Sequence, residues 1–261
     1  MSEELLTENK ARLKKVESIL VSQPKPSDDK SPYVALAEKY NLKIDFRPFI
    51  QIDPVDIKEF RKQKIDILGH TAVIFTSRNA VDHFFRLATE SKVEIPSDMK
   101  YFCISEQTAN YLQKYIVIRK RKIFTGERTA GDLIEILKKH KNEKFIFPCS
   151  NIRKDDIPSF LEEGGYTYSE AIIYKTVASD LSDLDDVKYD IIAFFSPSGI
   201  NSLLVNFPDF KQEDTRIAAF GPTTAKAVHD ADLILDIEAP LPNAPSMTGA
   251  IELYIKAVKK A

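Results

Sequence analysis

Residues 191–203, IIAFFSPSGINSL, decide how the chain folds. The apolar run from Ile191 to Phe195 has strand length, and it enters a turn of Ser196, Pro197, Ser198 and Gly199 before a helix. A strand that is apolar at every position is buried on both faces, as a parallel strand covered by helices on either side would be. The same unit recurs along the chain. Residues 72–75 (AVIF) lead into Thr76-Ser77-Arg78-Asn79 and a helix carrying Val81, Phe84, Phe85 and Ala88. Residues 101–104 (YFCI) lead into Ser105-Glu106-Gln107-Thr108 and a helix to about Lys114, and 145–147 (FIF) into Pro148-Cys149-Ser150-Asn151 and a helix to about Glu163. Residues 217–220 (IAAF) lead into Gly221-Pro222-Thr223-Thr224 and a helix to about Asp230. Near the start, Ile19-Leu20-Val21 precede a helix near 32–40. The pattern predicts an α/β protein built on parallel sheets.

The order of the units repeats as well. Residues 36–49 read LAEKYNLKIDFRPF and 161–174 read LEEGGYTYSEAIIY, equal in length and offset by 125. The strand at Phe75 returns at Phe195, offset 120, and the one at Cys103 returns at Ala219, offset 116. Each half reads as strand, helix, extended segment and three strand–helix units, with loop insertions accounting for the drift. Such self-similarity predicts two similar α/β lobes. The extended segments 43–52 (KIDFRPFIQI) and 166–177 (YTYSEAIIYKTV) carry aromatic and β-branched residues at strand length. Two placements suit them: edge strands of sequential lobes divided near residue 140, or paired connectors between lobes. Polar stretches follow, 53–69 and 178–188.

The 261 residues carry 37 Lys+Arg against 39 Asp+Glu, a net charge of −2, with 43% hydrophobic residues. That is room for one large or two medium domains. The balanced charge speaks against a nucleic-acid binder that works by bulk phosphate neutralisation. Arg119-Lys120-Arg121-Lys122, the local exception, reads as a solvated lead-in to a strand. Cys103 and Cys149 lie in apolar runs without a CxxC or His-rich context, so no zinc site or disulfide framework is expected, and a reducing compartment is. No apolar run approaches the 18 residues of a membrane span. The first residues, MSEELLTENKARLKKVES, read as a charged helical extension rather than a secretory signal.

In parallel α/β sheets, ligands bind beyond the carboxyl ends of the strands, where helix N-termini offer unpaired N–H groups to carboxylates and phosphates. Thr76-Ser77, Ser105, Thr125-Gly126, Ser150-Asn151, Ser196 with Ser198, and Thr223-Thr224 all fall in such turns. Helix capping favours the same residue types and explains each turn singly. Their recurrence in two lobes suits a ligand with several dispersed acidic groups. GxGxxG, GxxxxGK[ST] and GxSxG sequences are absent, and with them the usual dinucleotide, nucleotide and hydrolase sites. The four histidines, His70, His83, His140 and His229, are widely spaced, three of them at positions that read as exposed, so no metal site is expected. The acidic pairs Asp28-Asp29, Asp155-Asp156 and Asp185-Asp186 read as caps and solubilising charge. Tyr174 stands apart, central in an apolar extended run where a phenol can donate a proton while its ring packs. A tyrosine packed in a sheet with its hydroxyl at the surface is the plain alternative.

Residues 191–203, 216–228 (RIAAFGPTTAKAV), 72–84 (AVIFTSRNAVDHF) and 171–176 (AIIYKT) together resemble the uroporphyrinogen-III synthase family, and the likeness runs from about Val16 to the end. The resemblance implies two flavodoxin-like parallel-sheet domains joined by a two-stranded β ladder, with the active site in the interdomain cleft. It implies a discontinuous first domain, about 1–47 plus 175–261, an inserted second domain, about 50–172, and linker strands at about 43–52 and 166–177. Each lobe would then take its first strand–helix unit from the other repeat. The implied activity is a lyase of porphyrin and heme biosynthesis. Hydroxymethylbilane, a linear tetrapyrrole, loses water and closes to uroporphyrinogen III, with inversion of the last pyrrole through a spiro intermediate and without metal or organic cofactor. Tyr174 matches the family tyrosine proposed to help the leaving hydroxyl. Thr224 matches the second threonine of the GPTTA turn, placed to hydrogen-bond a substrate carboxylate or the leaving group, and Thr223, Ser198, Ser196, Ser77 and Thr76 occupy hydroxyl positions that would meet the eight carboxylates of the substrate. Where the family usually has Thr-Arg-Pro after its first strand, this chain has Ser22-Gln23-Pro24, without the cation. The expected partner is that small molecule, with no nucleic acid or membrane, and the protein a cytoplasmic monomer. A non-catalytic tetrapyrrole- or small-anion-binding protein on the same scaffold is the alternative, because a fold alone does not establish function.

Overall fold

The computed structural model describes residues 10–27, 31–117, 119–184 and 188–260. Residues 1–9 of the charged extension, Asp28-Asp29, Ile118 and Asp185-Asp186 lie outside them. The chain divides into two compact units, Met1–Gln51 with Val177–Ala261, and Ile52–Thr176. Both are α/β, with sheets that are mostly parallel.

Five strands of the first unit lie in the order β11-β10-β9-β1-β2. They are β1 (Ser18–Val21), β2 (Lys43–Phe46), β9 (Ile191–Phe194), β10 (Arg216–Phe220) and β11 (Leu235–Ala239), all paired in parallel. Successive side chains go to opposite faces. Ile19, Val21, Ile191 and Ala193 pack with Leu36 of α1 (Pro32–Tyr40) and with Ile251 and Tyr254 of α9 (Met247–Val258). Leu20, Ile192 and Phe194 pack on the other face with Ile200 and Leu203 of α7 (Pro197–Asn206) and Val228 of α8 (Pro222–Asp230). Burial of each large apolar side chain contributes about 1.5–3 kcal/mol, and a sheet sandwiched in this way accounts for unbroken apolar runs.

The second sheet has the order β3-β8-β7-β4-β5-β6. Its strands are β3 (Ile50–Pro54), β4 (Ala72–Phe75), β5 (Lys100–Cys103), β6 (Ile123–Thr125), β7 (Lys144–Ser150) and β8 (Thr167–Ala178). Val73, Phe75 and Tyr101 face Phe60 of α2 (Ile57–Lys62), Phe84 of α3 (Arg78–Glu90) and Ala109 of α4 (Glu106–Tyr111). Ala72, Ile74 and Phe102 face Leu133 of α5 (Ala130–Leu137) and Leu161 of α6 (Asp156–Glu163). With β3 set aside, the order β6-β5-β4-β7-β8 repeats that of the first sheet, and each sheet takes strands from both halves of the chain.

Four local features depart from the sequence reading. Segment 43–52 is two strands, because Pro48 has no N–H to give a ladder and Phe49, fully buried, turns into the core against Phe194 at 5.6 Å between ring centroids. The polar stretch 53–69 holds α2 and a 3₁₀ turn at Ile67–Gly69, anchored by buried Val55, Phe60 and Ile67. The turn expected at Pro148-Cys149-Ser150 is still strand. The ladder from β4 to β7 ends at Ile146, and Pro148 lies opposite Ala171 of β8. Finally, the described part of the N-terminal extension contains only a 3₁₀ turn, Lys10–Arg12, and it is built into the first unit. Arg12 donates to Glu213 O at 2.8 Å and to Asp236 Oδ2 at 3.0 Å.

Candidate active site

After β4, Thr76 and Ser77 carry the chain into α3. Ser77 has extended backbone, and its Oγ caps the helix by accepting from the Ala80 N–H at 3.0 Å. Tyr174 on β8 comes to the same place through a shift of register. Cys149 lies opposite Ile172, whereas Ser150 lies opposite Tyr174, which leaves Ile173 with no opposite residue on β7. Strict alternation would send Ile173 and Tyr174 to opposite faces. An extra residue of this kind re-aims the side chain that follows it, and both residues lie in the core cluster that α3 covers. The Tyr174 hydroxyl stands 3.2 Å from Ser77 Oγ, and its ring stacks on His83 of α3 with centroids 5.2 Å apart. Tyr174 is 8% exposed. Burial raises its pKa above the usual 10.0, against the opposing effect of the Ser77 hydrogen bond. At neutral pH the phenol keeps its proton and can serve as an acid.

A cavity of about 570 Å³ opens beside this pair, with Thr76, Ile104, Arg128, Phe147, Arg153 and Tyr174 in its wall. It lies beyond the carboxyl ends of β4, β5 and β7. Arg153 is engaged there: Nε and Nη2 donate to Glu170 Oε2 at 2.7 Å and Oε1 at 2.8 Å. That forked pairing uses the planar guanidinium fully. Asp155 makes no capping bond and pairs with Arg153 instead. Ser150 Oγ lies 3.0 Å from Thr176 Oγ1 and 2.9 Å from Asn151 Oδ1. Burial pushes the Cys149 thiol up to about 11, so it is not a thiolate nucleophile at neutral pH.

At the ends of β9 and β10, the first unit presents a second group of hydroxyls. Ser196 caps α7, its Oγ accepting from the Gly199 N–H at 3.3 Å, and Ser198 is half-buried in the first helical turn. Gly221 opens α8 at φ +86°, a left-handed conformation that favours glycine. Thr223 is exposed, whereas Thr224 is 1% exposed. Thr224 shares the inward face of α8 with Val228, four residues on.

Of the residues read from the sequence, Tyr174, Ser77 and Thr76 thus meet beside one cavity, while Ser196, Ser198, Thr223 and Thr224 lie at two adjacent strand ends. His83, Arg128 and Lys154 were missed. Contrary to the exposure read from the sequence, His70, His83 and His140 are half-buried and His229 is exposed. Nδ1 of His83 is buried without a hydrogen-bond partner among the described residues. Burial, reinforced by Arg86 and opposed by Asp82, holds its pKa below 6.5. The unfolded chain then binds the proton more readily than the folded one, so this contribution to stability is full above pH 6.5 and is lost as pH falls through the folded value. The urea midpoint should accordingly drop between pH 7 and 5, and His83→Phe, which keeps a ring against Tyr174, should drop less. Parallel slopes for the two proteins would exclude His83 from this titration. His140, also held low by burial, contributes in both proteins.

The family described as uroporphyrinogen-III synthase HemD matches residues 31–249. The chain is 28% identical over 212 residues to the uroporphyrinogen-III synthase of Saccharomyces cerevisiae, covering 70% of this chain and 75% of that one. It is 26% identical over 259 residues to the enzyme of the same name from Chlorobaculum parvum, covering 92% and 100%. Among solved structures, uroporphyrinogen-III synthetase from Helicobacter pylori superposes with a TM-score of 0.60 at 18% identity, covering 93% of this chain and 99% of that one. A mutant uroporphyrinogen III synthase from Thermus thermophilus gives 0.56 at 14% identity, covering 94% and 100%. At such identities the two superpositions speak to the fold alone.

Proposed function

The chain belongs to the uroporphyrinogen-III synthase family of cyclising lyases in heme biosynthesis, and on that premise we propose that Tyr174 is the acid that releases the hydroxyl group of hydroxymethylbilane. The overall reaction closes this linear tetrapyrrole to uroporphyrinogen III, with loss of water and inversion of the last pyrrole through a spiro intermediate. A pyrrole nitrogen pushes electrons toward the hydroxymethyl carbon, and the C–O bond breaks more readily when the oxygen leaves as water. A positioned proton donor supplies that assistance. Ser77 Oγ accepts from Ala80 and lies 3.2 Å from the Tyr174 hydroxyl, and donation of its own proton to that oxygen would leave the phenol proton for the substrate. The proton that a pyrrole carbon releases after ring closure restores the phenol, so no net acid is consumed.

The rest of catalysis is conformational. The free bilane is flexible and closes spontaneously without inversion, so holding one folded shape selects the product. Thr76 in the second unit, and Thr223, Ser196 and Ser198 in the first, are the hydroxyls we assign to the substrate. One observation carries the reading: a proton-bearing phenol, fixed by Ser77, beside a cavity at the strand ends.

The test is to supply freshly made hydroxymethylbilane and to resolve the product isomers. Type III product is expected. Type I product alone, as forms without protein, would overturn the reading and favour a binding protein.

A further inference from the structure

Resting on that reading, we infer that the cavity of the second unit takes one pyrrole of the substrate, with Arg128 and Lys154 holding its acetate and propionate. The substrate presents such a pair of acids on each ring, and the first-strand turn has exposed Gln23 where a cation is usual in the family. The cavity supplies positive charge elsewhere. Three cations line it, Arg128, Arg153 and Lys154. Arg153 is neutralised by Glu170 and Asp155. Arg128 and Lys154 have side chains with neither an ion pair nor a hydrogen bond to any described residue, and both are exposed. They stand just before α5 and α6, the start of α5 being capped by Asp132, which accepts from the Arg128 and Thr129 N–H groups. Ile104 and Phe147 give the cavity apolar wall for the face of a ring, and its volume falls in the range of small-molecule sites. Asp156, in the first turn of α6, is the acidic member of the lining and opposes a carboxylate.

The opposed signs make the test selective. Steady-state kinetics with hydroxymethylbilane would compare wild type, the double variant Arg128→Gln with Lys154→Gln, and Asp156→Asn. For the double variant, KM should rise about tenfold, each exposed ion pair giving a few-fold, with kcat within about twofold and type III still the product. For Asp156→Asn, KM should fall about twofold. Thermal unfolding curves matching wild type would show that the variants are folded. A structural role would not move KM in opposite directions at neighbouring positions. An unchanged KM in the double variant, or a raised KM in Asp156→Asn, would overturn the inference. Wild-type protein yielding only type I product would instead remove the enzyme reading beneath it.

Discussion

Tyr174→Phe is expected to lower kcat for hydroxymethylbilane by about 10²–10⁴-fold, the range over which positioned acids act. The change removes one oxygen and little else. The phenyl ring still fills the space against His83, and Ser77 keeps its capping bond to Ala80, so the helix start is undisturbed. Burial keeps the phenol above its ordinary pKa, so wild-type activity should not decline through ionisation of Tyr174 at any pH below about 10. A slow variant has a second signature as well. Uncatalysed closure goes on in solution, and the product shifts toward type I in proportion to the lost turnover. Turnover within about threefold of wild type, with an unshifted isomer ratio, would take Tyr174 out of the chemistry.

Arg12→Met is expected to destabilise the first unit by about 3–5 kcal/mol, the cost of stripping a buried charge of its partner. The Asp236 side chain is 2% exposed and that of Arg12 is 14% exposed. Asp236 also accepts from the Ile217 N–H at 2.9 Å and Gln212 Nε2 at 3.2 Å, which hold it in place but bring no charge. Replacing both partners, Arg12→Met with Asp236→Leu, should recover part of the loss, because an apolar pair strands no charge. Urea titration of wild type, the two single variants and the double variant gives the coupling directly. A loss under about 1 kcal/mol for Arg12→Met, the size of a surface pair, would show that water reaches Asp236.

The two predictions differ in how far they could be read from the chain alone. Tyr174 was visible as a phenol in an apolar strand, and β1, β4, β9 and β10 as apolar runs, because burial on both faces writes itself into consecutive residues. The extra residue Ile173, which turns Tyr174 toward Ser77, leaves no such trace, since the shift shows only in how β8 pairs with β7. Helix α2 was hidden for the opposite reason. Phe60 anchors it amid charged neighbours, too sparsely for a periodic pattern. Arg12 reads as part of a charged helical extension because its partner, Asp236, lies 224 residues away. The cavity cations escaped notice likewise: Arg128 and Lys154 sit in different loops and are joined only by the fold.

The shared strand order bears on how the chain comes off the ribosome. β1 and β2 are made first, yet the next neighbour of β1, β9, begins at Ile191, about 170 residues after Ser18. The unit 52–176 is complete as soon as β8 has emerged, and it can close while Ile19-Leu20-Val21 still lack that neighbour. Its closure joins chain ends near both unit boundaries, where the Val55 N–H donates to Ile173 O at 3.2 Å. The loop that β1 and β9 must then close shrinks to roughly 45 free residues, a saving of about 1 kcal/mol in closure entropy. An inserted unit that closes first thus lowers the entropy cost of completing the one it interrupts.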